Sequence, residues 1–174
     1  MSMREVRVKP WQDNDPAPED LVAAMRERRP NGELIGIDRV LLKSFPLASG
    51  WNQLLGRVRA EFSLSLEYRE LIMLRVAVLN DADFEWNVHY PAYLAAGGSE
   101  KKAEAIKLLT VTDLFSASEK ALLRLTDQST RQVKVDAEVI EDLKHLFGEV
   151  ETVEAVATVA AYNMVSRFLV ALDI

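Results

Sequence analysis

The sequence predicts an all-α protein, and three observations carry the prediction. Apolar residues recur at three- and four-residue spacing through most of the chain, sustained period-two alternation is missing, and no Asn-Gly or Asp-Gly hairpin lies between β-branched runs. The elements follow in order. Residues 1–18 mix charges, prolines and asparagine and read as an irregular arm, and Pro16 and Pro18 set up a short helix to about Arg28. The run Arg29-Pro30-Asn31-Gly32 ends it. A second helical stretch is expected over 37–62, bent or broken at Pro46. Leu66 to Leu79 is apolar on nearly every side, which implies a helix buried all round.

Asn80-Asp81-Ala82-Asp83 is a polar turn whose aspartates are expected to cap the next helix, which stops at Gly97-Gly98. Ser99 is placed to cap a helix to about Leu109, and Ser116-Ala117-Ser118-Glu119 has the capping-box pattern for one running to about Ser129. Asp136 is expected to cap a further helix ending at Phe147-Gly148, and the last runs from about Val150 to Leu172. Its apolar run is interrupted by Glu154, Asn163 and Arg167, so it reads as a buried core helix rather than a membrane span. The organisation expected is an N-terminal arm, 1–18, and one all-helical domain, 19–174.

Composition narrows the function. Of 174 residues 49% are apolar and 28% charged, a globular mixture with room for one continuous core. Acidic residues outnumber basic ones, 27 to 21, and such a surface repels phosphate backbones, so nucleic acid is not an expected partner. There is no cysteine. Disulfides, thiolate nucleophiles and zinc–thiolate sites are therefore excluded. The N-terminus lacks the apolar stretch of a signal peptide, and a soluble cytoplasmic protein acting on a small molecule, with no membrane partner, is the expectation.

Three ionisable residues stand out as candidates for chemistry. Glu70 has Leu66, Met73, Leu74 and Ala77 at helical spacing. A carboxylate on that face is either paired, with Arg75 or Arg167 as candidates, or carries a raised pKa suited to acid–base work. Glu85 and His89 are spaced i, i+4 and meet on one helix face. They could form a proton-transfer pair, two ligands of a metal ion, or a surface salt bridge worth about 0.3–0.5 kcal/mol. Small residues (Ala82, Val88, Ala92, Ala96) leave space beside them, and Trp86 and Tyr93, one turn away, could wall a pocket. Arg75, among Leu71, Ile72, Val78 and Leu79, could hold a substrate carboxylate or bridge helices. Pro91 is expected to kink the helix beside the pair.

The stretch Tyr68-Arg69-Glu70-Leu71, then Leu74-Arg75-Val76-Ala77, then Ala82 through His89 to Ala95-Ala96-Gly97-Gly98-Ser99 resembles the carboxymuconolactone decarboxylase family, which shares the alkylhydroperoxidase D-like fold. The resemblance covers roughly residues 45–110, and Ala161-Tyr162-Asn163-Met164 to Arg167 is compatible with it. It implies an all-helical subunit assembling as a trimer or hexamer, with the motif helix lining a pocket near a subunit interface. In the family's redox branch a glutamate, two cysteines and a histidine form a proton relay. Glu70 and His89 fall on its glutamate and histidine, and Ala82 and Glu85 on the two cysteines.

Thiol peroxidase chemistry is therefore disfavoured. The Glu-Trp-x-x-His form resembles the decarboxylase branch instead, a lyase of aromatic catabolism that needs no cofactor. The resemblance thus implies an acid–base enzyme on a small carboxylated lactone or organic acid. His89 would be the acid, Glu85 would orient it, Glu70 would be a buried relay, and Trp86, Arg75 and Tyr93 would contact substrate. Two alternatives stand beside it: a metal-dependent enzyme using Glu85 and His89 as ligands, and a non-catalytic binding or assembly module.

Overall fold

The computed structural model describes residues 6–174; the first five residues of the expected arm lie outside it. Every regular element among the described residues is helical. The chain falls into two compact units, one of residues up to 57 together with 171–174, the other of residues 58–170.

In the first unit, residues 6–18 carry no helix. Helix α1 spans Glu19–Glu27, a 3-10 turn covers Pro30–Gly32, α2 spans Gly36–Leu41, and α3 (Phe45–Ala60) runs on into the second unit. α1 stops where the sequence says it should because Arg29, which precedes Pro30, is extended (φ −106°, ψ 143°); Asn31 takes a left-handed φ of 56° within the turn that follows. The expected break near Pro46 is displaced. It falls at residues 42–44, and Pro46 occupies the opening turn of α3, where its missing N–H has no helical partner to lose. Trp11, Met25, Ile37, Leu41, Trp51 and Leu55 are buried. Asp38, fully buried, takes 2.8 Å contacts from both Arg28 and Arg29 and caps α2 through the Ile35 N–H.

The second unit is built round α4, Leu66–Leu79, which packs on α5 (Asp83–Ala95), α6 (Glu100–Lys107) and α7 (Ala117–Gln132). Residues 69–77 are all buried, as an all-round apolar helix requires. Ser65, Ser99 and Ser116 cap α4, α6 and α7, and the Ser116–Glu119 capping box is complete.

Two local expectations, the aspartate caps of α5 and of the helix after Asp136, are corrected. No aspartate side chain caps α5: Ala82 holds the cap position, Asp81 takes a left-handed φ of 52°, and Asp83 lies inside the first turn, where it favours the helix dipole instead. Pro91 lies inside α5, which runs from Asp83 to Ala95 around it. The Asp136 carboxylate accepts a 2.7 Å hydrogen bond from Gln128 rather than one from the helix that follows.

The last helix, α8, spans Ala137–Leu172 with a break at Gly148, whose φ of 75° and ψ of 175° are accessible to glycine and costly for other residues. It is long and apolar enough to cross a membrane, yet half of its most apolar stretch is buried within the protein. Thr152, Thr158, Asn163 and Ser166 are buried along it. Asn163 and Ser166 accept hydrogen bonds from Asn80 at the end of α4.

Candidate active site

Glu70 lies on α4 and His89 on α5, and the packing of these two helices brings them together. The His89 Nδ1 stands 2.7 Å from Glu70 Oε2. On the other edge of the ring, Nε2 stands 3.3 Å from Glu85 Oε2, one helical turn back along α5. That second contact is an ion-pair distance without good hydrogen-bond alignment, and Glu85 Oε2 is buried with no hydrogen-bond partner. The imidazole is thus gripped on one side and loosely faced on the other. All three side chains are buried, none more than 7% exposed.

Two residues complete the cluster. Tyr162 of α8 sets its ring edge-on to the His89 ring, with centroids 5.0 Å apart and planes at 82°. Arg59, at the end of α3, donates from Nε to Tyr162 Oη at 2.9 Å, and its guanidinium carbon lies 5.8 Å from the Tyr162 ring centroid. Buried Arg69 fixes this end of α3 by donating to the carbonyls of Val58 (2.8 Å) and Arg59 (2.6 Å). The backbone that carries Arg59 is thereby held against α4.

The electrostatics follow from this arrangement. Burial alone favours a neutral imidazole, but Tyr162, the hydrogen-bonded carboxylate of Glu70 and the nearby carboxylate of Glu85 outweigh it and hold the His89 pKa well above the usual imidazole range. The Arg59 guanidinium is likewise raised, because Tyr162, Glu85 and Glu70 outweigh its own desolvation. A buried imidazolium between two carboxylates, with a guanidinium and a phenol beside it, can store a proton and pass it from its loosely held edge.

Of the six residues singled out from the sequence, the structure brings Glu70, Glu85 and His89 together. The partner of Glu70 is His89, not Arg75 or Arg167. Arg167 binds the carbonyl oxygen of Asn163 at 3.2 Å and also its side-chain oxygen. Arg75 is 1% exposed and committed to Asp127 by two contacts of 2.6 and 2.7 Å, which leaves no fork for a substrate carboxylate. Tyr93 is fully enclosed against Gly98, where an added Cβ would sit 2.3 Å from the Tyr93 ring, and burial pushes its hydroxyl pKa up to about 12. Both are packing residues rather than contacts for a substrate. Trp86 stacks on Tyr90 at 5.8 Å with the Lys107 ammonium 5.4 Å from its ring, and lines a cleft of about 390 Å³ that also touches Ala82 and Asn87. No group of three or more His, Asp or Glu side chains among the described residues has the geometry to hold a metal ion. Sequence reasoning missed Tyr162 and Arg59 as members of the site. Neither carries a local signal, since they lie 103 residues apart and meet through α3 and α8.

Comparison with known proteins agrees with this core. Residues 46–128 match the model of the carboxymuconolactone decarboxylase family. Over that segment, a little under half of the chain, the sequence is similar to this family. No curated protein matches the chain. Among solved structures, an uncharacterised peroxidase-related protein from Silicibacter sp. TM1040 superposes with a TM-score of 0.81 at 16% identity, covering 100% of this chain and 93% of its own. A complex of a cysteine-to-alanine variant of the debrominase Bmp8 with 2,3,4-tribromopyrrole gives a TM-score of 0.75 at 20% identity, over 99% of this chain and 92% of that one. A protein of unknown function from Agrobacterium tumefaciens, associated by name with antioxidant defence (AhpD), gives 0.70 at 21% identity, over 80% and 94%. At these identities the likeness is one of fold. The carboxymuconolactone decarboxylase-like segment contains Arg59, Glu70, Glu85 and His89, while Tyr162 lies outside it.

Proposed function

We propose that this protein is a cofactor-free acid–base enzyme acting on a small carboxylated lactone or related organic acid, with His89 as the group that delivers the proton. The observation that carries the reading is the buried His89 ring held between Glu70 and Glu85 at 2.7 and 3.3 Å. In a decarboxylation the C–C bond to the carboxylate breaks, carbon dioxide leaves, and the electron pair passes into the conjugated lactone carbonyl. The carbon left behind then takes a proton. An imidazolium supplies it from Nε2, the edge that Glu85 holds loosely, while Glu70 on Nδ1 fixes the ring and stabilises its charge. Water recharges the ring for the next turnover.

This assignment exchanges the roles expected of the two glutamates. The tighter contact makes Glu70 the orienting group and leaves Glu85 facing the reacting edge. The family resemblance and the decarboxylase-like motif support the reaction class, and the absence of cysteine removes the thiol alternative. We also propose assembly as a homo-oligomer, a trimer or hexamer, from the same resemblance.

The test is turnover of a carboxylated unsaturated lactone, read as release of carbon dioxide. His89→Ala and Glu85→Gln should each abolish release while helical content is retained. Unchanged release in both variants overturns the assignment. The near-complete burial of the cluster favours one competing reading, a structural polar core in a non-catalytic module. On that reading the wild type releases no carbon dioxide, and the same substitutions alter stability alone.

A further inference from the structure

Arg59 is the member of the cluster that reaches solvent: His89, Glu70, Glu85 and Tyr162 are buried, whereas Arg59 is partly exposed. Its Nε is taken by Tyr162 Oη at 2.9 Å, which fixes the plane of the guanidinium. The two terminal nitrogens make no hydrogen bond to any described residue, and neither Glu70 nor Glu85 closes on them as a salt bridge. That is an unusual state for an arginine beside two carboxylates. Other arginines of the same unit are committed: Arg75 to Asp127, and Arg69 to the carbonyls that end α3. Arg59 therefore presents a pre-oriented fork with nothing in it, the geometry that matches a carboxylate bidentately.

Its position relative to His89 is also fixed. The Arg59 guanidinium carbon and the His89 ring lie 5.8 and 5.0 Å from the centroid of one Tyr162 ring. A small planar molecule with one carboxylate could place that group on Arg59 and a carbon of its ring system near His89. The charges agree: two basic side chains, His89 and Arg59, face two acidic ones, Glu70 and Glu85, so an anion at the partly exposed Arg59 meets no one-sided field of like charge.

We propose that Arg59, anchored by Tyr162, is the substrate-binding residue that takes the carboxylate of an anionic substrate, the role that sequence alone had offered to Arg75. This inference rests on the acid–base reading of the cluster and names the chemical class of ligand that the site accepts.

The experiment measures binding rather than turnover, by calorimetry on the intact protein. The probe is a butenolide carboxylic acid, with its methyl ester as the uncharged control. Wild type should bind the acid and discriminate against the ester. Arg59→Gln should weaken acid binding by roughly ten- to a hundredfold, as expected for loss of charge-assisted hydrogen bonds, and leave the ester unchanged. Arg59→Lys should recover part of the loss. His89→Gln should retain acid binding. Equal affinity of wild type and Arg59→Gln for the acid overturns the proposal, as does a wild type that binds neither compound. Should Arg59→Gln fail to fold, wild type alone decides, because equal binding of acid and ester also refutes a carboxylate site. Arg59-dependent binding without carbon dioxide release would sink the decarboxylase reading and leave this one standing.

Discussion

His89 shows how much a single side chain depends on neighbours that are remote in sequence. An i, i+4 glutamate contributes the weaker of its two carboxylate contacts, at 3.3 Å, while the 2.7 Å contact comes from nineteen residues earlier, on another helix. Because the folded pKa is raised, the folded protein holds a proton that the unfolded chain releases near pH 6.5. The stabilisation is fully present below that pH and is lost as the pH rises through the folded value. Urea unfolding of wild type should therefore show stability falling above about pH 6.5, by up to about 1.4 kcal/mol per pH unit. That slope should be absent in His89→Gln. A titration of His89 followed by carbon-detected NMR should give a pKa well above the ordinary imidazole value, lowered in Glu70→Gln; an ordinary value in wild type would contradict the electrostatics described above. Arg75 illustrates the opposite case, a cation spent on architecture. Asp127→Asn should cost about 3 kcal/mol in chemical denaturation, the lower end for a broken buried pair, because Asp127 is 26% exposed.

At the level of elements, the site depends on where helices stop. Arg69 ties off the carbonyls of α3, so Arg59 leaves the helix at a fixed point, and Tyr162 is presented by the second half of α8. Gly148 separates that half from the first, with backbone angles that a Cβ makes strained even though open space surrounds it. Gly148→Ala should destabilise the protein by about 1–3 kcal/mol through backbone strain alone. Thermal unfolding checks this, and an unchanged midpoint would mean the break can relax. Gly98 fails for a different reason: its neighbour is the buried Tyr93 ring, so Gly98→Ala must move an aromatic side chain or the turn after α5. The cap of α7 is ordinary by comparison, and Ser116→Ala should cost about 1 kcal/mol.

Considered as a whole, the chain leaves apolar side chains on the outer face of α8, including Val150 at 66% and Val153 at 67% exposure. Subunit association of the kind proposed above would cover surface of this sort. Sedimentation equilibrium should find a species three or six times the 19.6 kDa of one chain; a monomer at all concentrations would refute the proposed assembly. The same measurement on His89→Ala and Glu85→Gln separates loss of chemistry from loss of structure, since neither side chain reaches the surface.

The all-helical class, the span of α4, the caps at Ser99 and Ser116 and the break at Gly148 were legible in the sequence, because each depends on local rules: periodicity, a hydroxyl three residues from an N–H, a backbone conformation that favours glycine. Glu70, Glu85 and His89 were legible as candidates because charged groups on apolar faces are costly unless they meet. Which groups they meet is not a local property. Pairing Glu70 with His89 rather than Arg75 or Arg167, committing Arg75 to Asp127, and bringing Arg59 and Tyr162 to the imidazole all depend on how α3, α4, α5 and α8 pack. The tertiary structure decided them, because an ion pair forms where two buried charges can reach each other, and only packing sets that distance.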